Sequence, residues 1–249
     1  EVNAARKWWQ ARATTRLGPP PAVSPTTWQR FATLGLVDAN TPSRADWPLL
    51  RSRVSDAALP YPRLHAVDPR PNVVLTFLES TNAFFLTPYG DHYAGLMPQL
   101  SALAGQMTTI HGMHNTSAPT ISALITALCS IHPPDHPADL RRGASADGRL
   151  AYTCVSDVLR TAGYRTVFLQ GASKTVTGKE YFLRTHGFDQ VLGLEDLQAA
   201  FPGARRGPWG MHDAQLVQFA QRTIDRLERE RAHDGRPFLL VMLTLDTHD

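Results

Sequence analysis

The sequence predicts an α/β fold on a mostly parallel sheet, and two observations carry that prediction. Residues 72–78 (NVVLTFL), 166–170 and 237–245 are short, nearly continuous apolar runs rich in β-branched residues, the composition of strands buried on both faces. Between them lie stretches with apolar residues at helical spacing, and strand–helix alternation of this kind covers a parallel sheet on both sides.

Taken in order, residues 1–70 are rich in Pro, Arg and Trp and read as an N-terminal extension packed on the main body, with short helices expected over 4–12 and 28–36. Residues 71–249 form the main domain. Its first helix presents Ile121, Leu124, Ile125, Leu128 and Cys129 on one face. A second repeats the pattern with Val155, Val158, Leu159 and Ala162 and stops at Gly163. A third carries Leu216, Val217, Ala220, Ile224 and Leu227, with a solvated face over 225–231. Residues 132–150, punctuated by Pro133, Pro134, Pro137 and Gly143, form a long loop.

Bulk properties exclude several classes. Hydrophobic residues make up 43% and charged residues 19% of 249 residues, which argues against disorder. The formal charge is only +3 and the arginines are scattered, so nucleic acid is not an expected partner. No apolar run reaches the roughly 18 residues needed to span a bilayer, and no signal peptide opens the chain. Because the first residue is not methionine, the chain reads as an excerpt of a longer protein. Cys129 and Cys154 form either one disulfide or two buried thiols, and the thiols are the plainer expectation.

Parallel sheets gather ligands beyond the carboxyl ends of their strands, and Glu79 stands directly after the first strand. A lone glutamate there is more often a solvated loop residue than a ligand. In the segment 115–133, Ser117 caps a helix, Pro119 suits its first turn and Thr120 lies in that turn. The N–H groups of a helix start favour an anion beside the Thr120 hydroxyl. A threonine is a weak nucleophile unless a base or metal lowers its pKa, so a plain capped helix is the competing account.

The ordered blocks NVVLTFLEST, TSAPTISALITALCSIHP, VFLQGASKTVTGKEYFLRTHGFDQVLGLEDL, WGMHD and FLLVMLTLDTHD resemble the sulfatase-like phospho-group transferases of the alkaline phosphatase superfamily. That family includes phosphoglycerol transferases of periplasmic glucans and lipoteichoic acid synthases. The resemblance runs from about residue 71 to the last residue. It implies an α/β/α sandwich with a mostly parallel sheet, incomplete here at its C-terminal end. By resemblance, Glu79 is an acidic metal ligand and Thr120 is both nucleophile and ligand, with Thr116 and Ser117 as fallback. His248 contacts the substrate phosphate or leaving group. Lys179 lies near the same phosphate, with Lys174 as its competitor, and a solvated helix start is the equal alternative for Lys179. His114, with His111, lies near Thr120 and is a substrate-binding candidate, although loop histidines are more ordinary.

Further expectations concern the remaining motifs and partners. Sulfatases proper carry a Cys or Ser at the nucleophile position, within C/S-x-P-x-R; here that position is Thr120, followed by Ile121, Ser122, Ala123 and Leu124, so both the convertible residue and the arginine are missing. Asp91 and His92 mimic a late Asp-His metal pair but sit in a variable loop and are read as coincidence. His186 is expected to pack at a helix end, and Asp213 to cap its own helix beside Trp209. The resemblance further implies a divalent metal (Mn, Zn or Mg), a phospholipid donor, a glycan acceptor and a membrane-anchored protein with an extracytoplasmic domain. Lacking the late Asp-His ligands, the isolated chain is expected to bind metal weakly and turn over poorly. A sulfatase or phosphodiesterase-type hydrolase and a non-catalytic degenerate module are the alternatives.

Overall fold

A computed structural model of the chain describes residues 69–90, 92–113, 118–131 and 153–248, together with Thr26, Gln29 and Thr33. The chain divides at His65 and Ala66 into two units, and the second holds every element below. Gln29 and Thr33 are helical, within the expected 28–36 segment. The helix expected over 4–12 and the loop over 132–150 lie outside the described residues.

Among the described residues four parallel strands form one sheet in the order β1-β4-β2-β3. They are β1 (Val73–Phe77), β2 (Arg165–Gln170), β3 (Gln190–Leu192) and β4 (Phe238–Leu243). Six described α-helices accompany them: α1 (Pro98–Ala104), α2 (Thr120–Cys129), α3 (Val155–Thr161), α4 (Lys179–Thr185), α5 (Leu194–Ala200) and α6 (Asp213–Asp234).

The period-2 alternation of the strands splits the core in two. Leu239, Val241, Leu243 and Phe168 face a cluster completed by Ile121, Leu124 and Leu128 of α2 and Phe182 and Leu183 of α4. Leu240, Phe238, Val167 and Leu169 face the other side, against Leu197 of α5 and Leu216, Ala220 and Leu227 of α6. This is the expected α/β/α layering. Burying each of these large side chains contributes about 1.5–3 kcal/mol relative to exposure, so α2 is anchored along its whole apolar face.

Four expectations require correction. Among the described residues β1 is an edge strand, not one buried on both faces: Val73, Leu75 and Phe77 pack on the α2 side while Val74 is 53% exposed. Helix α3 turns Val155 and Val158 outward and buries Ser156, whose hydroxyl donates to the His186 carbonyl at 2.5 Å. Its stop is as expected, with Gly163 at φ +89°. Helix α2 begins one residue later than Pro119, which sits at the cap position without a side-chain cap. Cys129 and Cys154 are joined in a disulfide, fastening the end of α2 to the start of α3.

Candidate active site

With all strands parallel, their carboxyl ends share one sheet edge, and the segments leaving β1, β4 and β2 stand side by side there. Glu79 lies two residues beyond β1. Its backbone is held by the turn after β4: its N–H donates to the Thr244 hydroxyl at 2.9 Å, and its carbonyl accepts from the Thr247 hydroxyl. With its backbone tied in this way, the half-buried Glu79 side chain reaches the start of α2. The Thr120 hydroxyl lies 3.1 Å from both Glu79 carboxylate oxygens.

Thr120 is the first residue of α2. The Ser122 and Ala123 N–H groups donate to the Pro119 carbonyl at 2.9 and 3.2 Å. Among the described residues no acceptor meets the N–H groups of Thr120 and Ile121. The positive end of the helix dipole therefore faces the same edge as the threonine hydroxyl.

Lys179 is the first residue of α4 and is buried, not solvated, with 7% of its surface exposed. Two successive left-handed residues, Thr177 at φ 58° and Gly178 at φ 75°, turn the chain to deliver it. Among the described residues nothing accepts a hydrogen bond from its ammonium. Burial pushes its pKa below the ordinary lysine range, and the negative charge of Glu79 partly offsets that shift. Lys174 is occupied elsewhere. Its ammonium pairs with Asp196 of α5 at 3.0 Å.

His248 ends the turn after β4, and its ring stacks on Trp209 with centroids 4.3 Å apart. The fallback residues Thr116 and Ser117, the candidate His114, and Asp91 all lie outside the described residues. His111 packs against Tyr89 and His92 against Phe84, with centroids 5.1 and 6.0 Å apart. His186 is buried at the end of α4, its Nδ1 2.8 Å from the Phe182 carbonyl.

Asp213 does not cap its own helix. Its carboxylate accepts the N–H groups of Leu245 and Asp246, at 2.7 and 3.1 Å. Asp246 returns the contact, accepting the Asp213 N–H at 3.0 Å and meeting His212 Nδ1 at 2.9 Å. Thr244, Thr247 and this aspartate exchange went unrecognised in the sequence. Asp246 sits within the LTLDTHD block, but no helical or strand spacing pairs positions 33 residues apart.

The donor set near Glu79 is two carboxylate oxygens and one hydroxyl, hard ligands suited to a divalent cation. Two side chains are fewer than any such ion needs. Among the described residues no group of three or more His, Cys, Asp or Glu is arranged to hold a metal.

The sulfatase family model matches residues 71–249, the stretch that holds the sheet, Glu79, Thr120, Lys179 and His248. The chain belongs to the sulfatase family. Phosphoglycerol transferase I of Salmonella arizonae and that of Salmonella typhimurium are each 30% identical to it over 227 residues, covering 86% of this chain and 29% of the relative. The chain thus spans less than a third of the length of these curated relatives. Among solved structures, a protein in the alkaline phosphatase superfamily from Vibrio parahaemolyticus shares the fold with a TM-score of 0.60 and 24% identity, over 72% of this chain and 41% of that one. The lipoteichoic acid synthase LtaP from Listeria monocytogenes does so with a TM-score of 0.58 and 16% identity, over the same shares. This sulfatase-family chain therefore carries the α/β fold of that superfamily and resembles phosphoglycerol transferases in sequence.

Proposed function

We propose that this sulfatase-family chain bears the nucleophile of a metal-dependent transferase that moves a phosphoglycerol or related head group from a phospholipid to a glycan. The observation that supports it most is the Thr120 hydroxyl at the mouth of α2, 3.1 Å from both oxygens of Glu79. A divalent cation (Mn, Zn or Mg) held by Glu79 and Thr120 would lower the pKa of the hydroxyl and polarise a phosphodiester oxygen.

The residues divide the remaining work. Thr120 attacks phosphorus, its oxygen forming the new P–O bond as the bond to diacylglycerol breaks, which leaves a phosphoglyceryl-threonine. Lys179 offers a buried positive charge with no competing acceptor among the described residues, so it can bind a non-bridging phosphate oxygen at little screening. The N–H groups of Thr120 and Ile121, which meet no acceptor among the described residues, add to the same attraction. His248 delivers a proton to the departing alcohol and takes one from the acceptor hydroxyl, whose oxygen then bonds to phosphorus as the bond from phosphorus to the Thr120 oxygen breaks, which returns Thr120 to its deprotonated starting form. Lys174 is left out because Asp196 already neutralises it.

The Cys129–Cys154 disulfide supports an extracytoplasmic location, where such bonds persist. Among the described residues no helix is long and apolar enough to cross a membrane, and the membrane anchor is part of the proposal for the full-length protein. With only Glu79 and Thr120 as described ligands, the 249-residue chain by itself is expected to hold metal weakly.

The test is an assay of the full-length protein with phosphatidylglycerol and divalent metal, with and without a glucan acceptor, and in parallel with a sulfate ester. Diacylglycerol release that accelerates with acceptor, and no sulfate release, is the expected result. Release at one rate with or without acceptor would mean a hydrolase. No turnover with either substrate would mean a binding module.

A further inference from the structure

We infer that Trp209 and the Asp213–Asp246 pair are positioning residues, clamping the turn after β4 so that His248 is presented to the phospho group in one fixed orientation. This inference rests on the role proposed above for His248.

The turn is gripped from two sides. On one side, Thr244 and Thr247 bond the backbone of Glu79, so the segment that carries His248 is tied to the residue proposed to hold the metal. On the other side, the two aspartates exchange backbone hydrogen bonds across 33 residues of sequence. Asp213 takes the N–H groups of Leu245 and Asp246, and Asp246 takes the first N–H of α6. Each carboxylate thereby satisfies donors that the other segment cannot satisfy for itself. His248 N–H closes the turn on the Leu245 carbonyl at 2.9 Å.

Trp209 supplies the platform. Its ring lies 4.3 Å from the His248 ring at an interplanar angle of 34°. It is half exposed, so core burial does not explain its place. The backbone that carries it cannot slide. Gly210 and Met211 press on the end of β2, where Met211 N–H donates to the Gly171 carbonyl at 3.0 Å. A Cβ at Gly210 would stand 2.3 Å from that same carbonyl oxygen, and Gly210 also takes φ +155°. The platform is thus referenced to β2, and β2 is the strand that leads to Lys179. A histidine fixed against Trp209 is therefore fixed relative to both Glu79 and Lys179.

The test uses the full-length protein in the transfer assay together with NMR of its ring-labelled histidines. In the wild type, the His248 ring resonance, assigned by its loss in His248→Gln, should be shifted by the Trp209 ring current. Trp209→Ala should abolish that shift and lower kcat about ten- to a hundredfold while KM stays within about twofold, the signature of lost orientation. Trp209→Phe should restore most of both. Because the two residues act as one unit, Trp209→Ala combined with His248→Ala should be no slower than His248→Ala alone. Asp246→Ala should move the His248 resonance as well, and Asp246→Asn, which keeps an acceptor, should move it less. Rate losses that multiply in the double variant, or a Trp209→Ala resonance identical to wild type, would overturn the inference alone. Unchanged turnover in His248→Ala would overturn the role given to His248 and the inference with it.

Discussion

Replacing Lys179 by methionine separates what stabilises this fold from what the site requires. The ammonium is 93% removed from solvent and meets no hydrogen-bond acceptor among the described residues, so burying it costs free energy that only the field of Glu79 offsets. Methionine keeps the unbranched stem and sheds the charge, and replacing an uncompensated buried charge by an apolar side chain gains on the order of 1 kcal/mol or more. For a chain of this size that is a rise in Tm of about 2–4 °C. The same change deletes a charge-assisted bond to phosphate worth about 1.5–3 kcal/mol, so affinity for inorganic phosphate falls roughly ten- to a hundredfold. Burial holds the lysine below its ordinary range, so between the lowered and ordinary values the unfolded chain binds a proton that the folded chain does not. Stability from this group therefore rises with pH across that window, while phosphate affinity falls as the lysine deprotonates. Lys179→Met removes both slopes. Thermal melts and phosphate titration calorimetry across alkaline pH read both quantities. A lowered Tm with unchanged phosphate affinity would refute the reasoning.

Three other outcomes are expected. Thr120→Ala should abolish head-group transfer by the full-length protein, a loss of at least about a thousandfold as for other covalent nucleophiles, whereas Thr120→Ser should retain part of it. Circular dichroism of both variants should match wild type, because Thr120 is a half-buried first residue of α2 and not part of its apolar face. Converting Cys129 and Cys154 to serine opens a loop with a sequence separation of 25 and should lower unfolding free energy by roughly 3 kcal/mol, read by urea denaturation. The Arg165 guanidinium holds the Asp234 carboxyl at about 2, below its ordinary 3.8, so its contribution is present above that ordinary value and is lost as pH falls toward 2. Asp234→Asn should therefore be less stable than wild type at neutral pH and indistinguishable from it near pH 2.

The long apolar runs and helical spacings made the sheet and the anchored helices legible, because 72–78, 166–170 and 237–245 each encode a strand with few competing readings. The short elements were not legible. β3 has three residues and α5 seven, too few to establish a period, and they form because β2 and α6 already provide the surface they pack on. The exposure of Val74 depends on which strands flank β1, a matter of topology that composition does not encode. Burial of Lys179 was hidden for a related reason. A lysine opening a helix is ordinarily solvated, and only the left-handed pair Thr177 and Gly178 turns it inward. The aspartate exchange reads in sequence as a local cap because Asp213 does stand at a helix start, while its partners Leu245 and Asp246 lie in the turn after β4.

The central claim is that Thr120 becomes covalently bonded to phosphorus. Incubating the full-length protein with phosphatidylglycerol and a divalent metal, without acceptor, then quenching in acid and mapping peptides by mass spectrometry, tests it directly. One glycerophosphoryl group should appear on the peptide that contains Thr120 and vanish when glucan is added before quenching. Diacylglycerol release with that peptide unmodified, or the group found on another residue, would contradict the account.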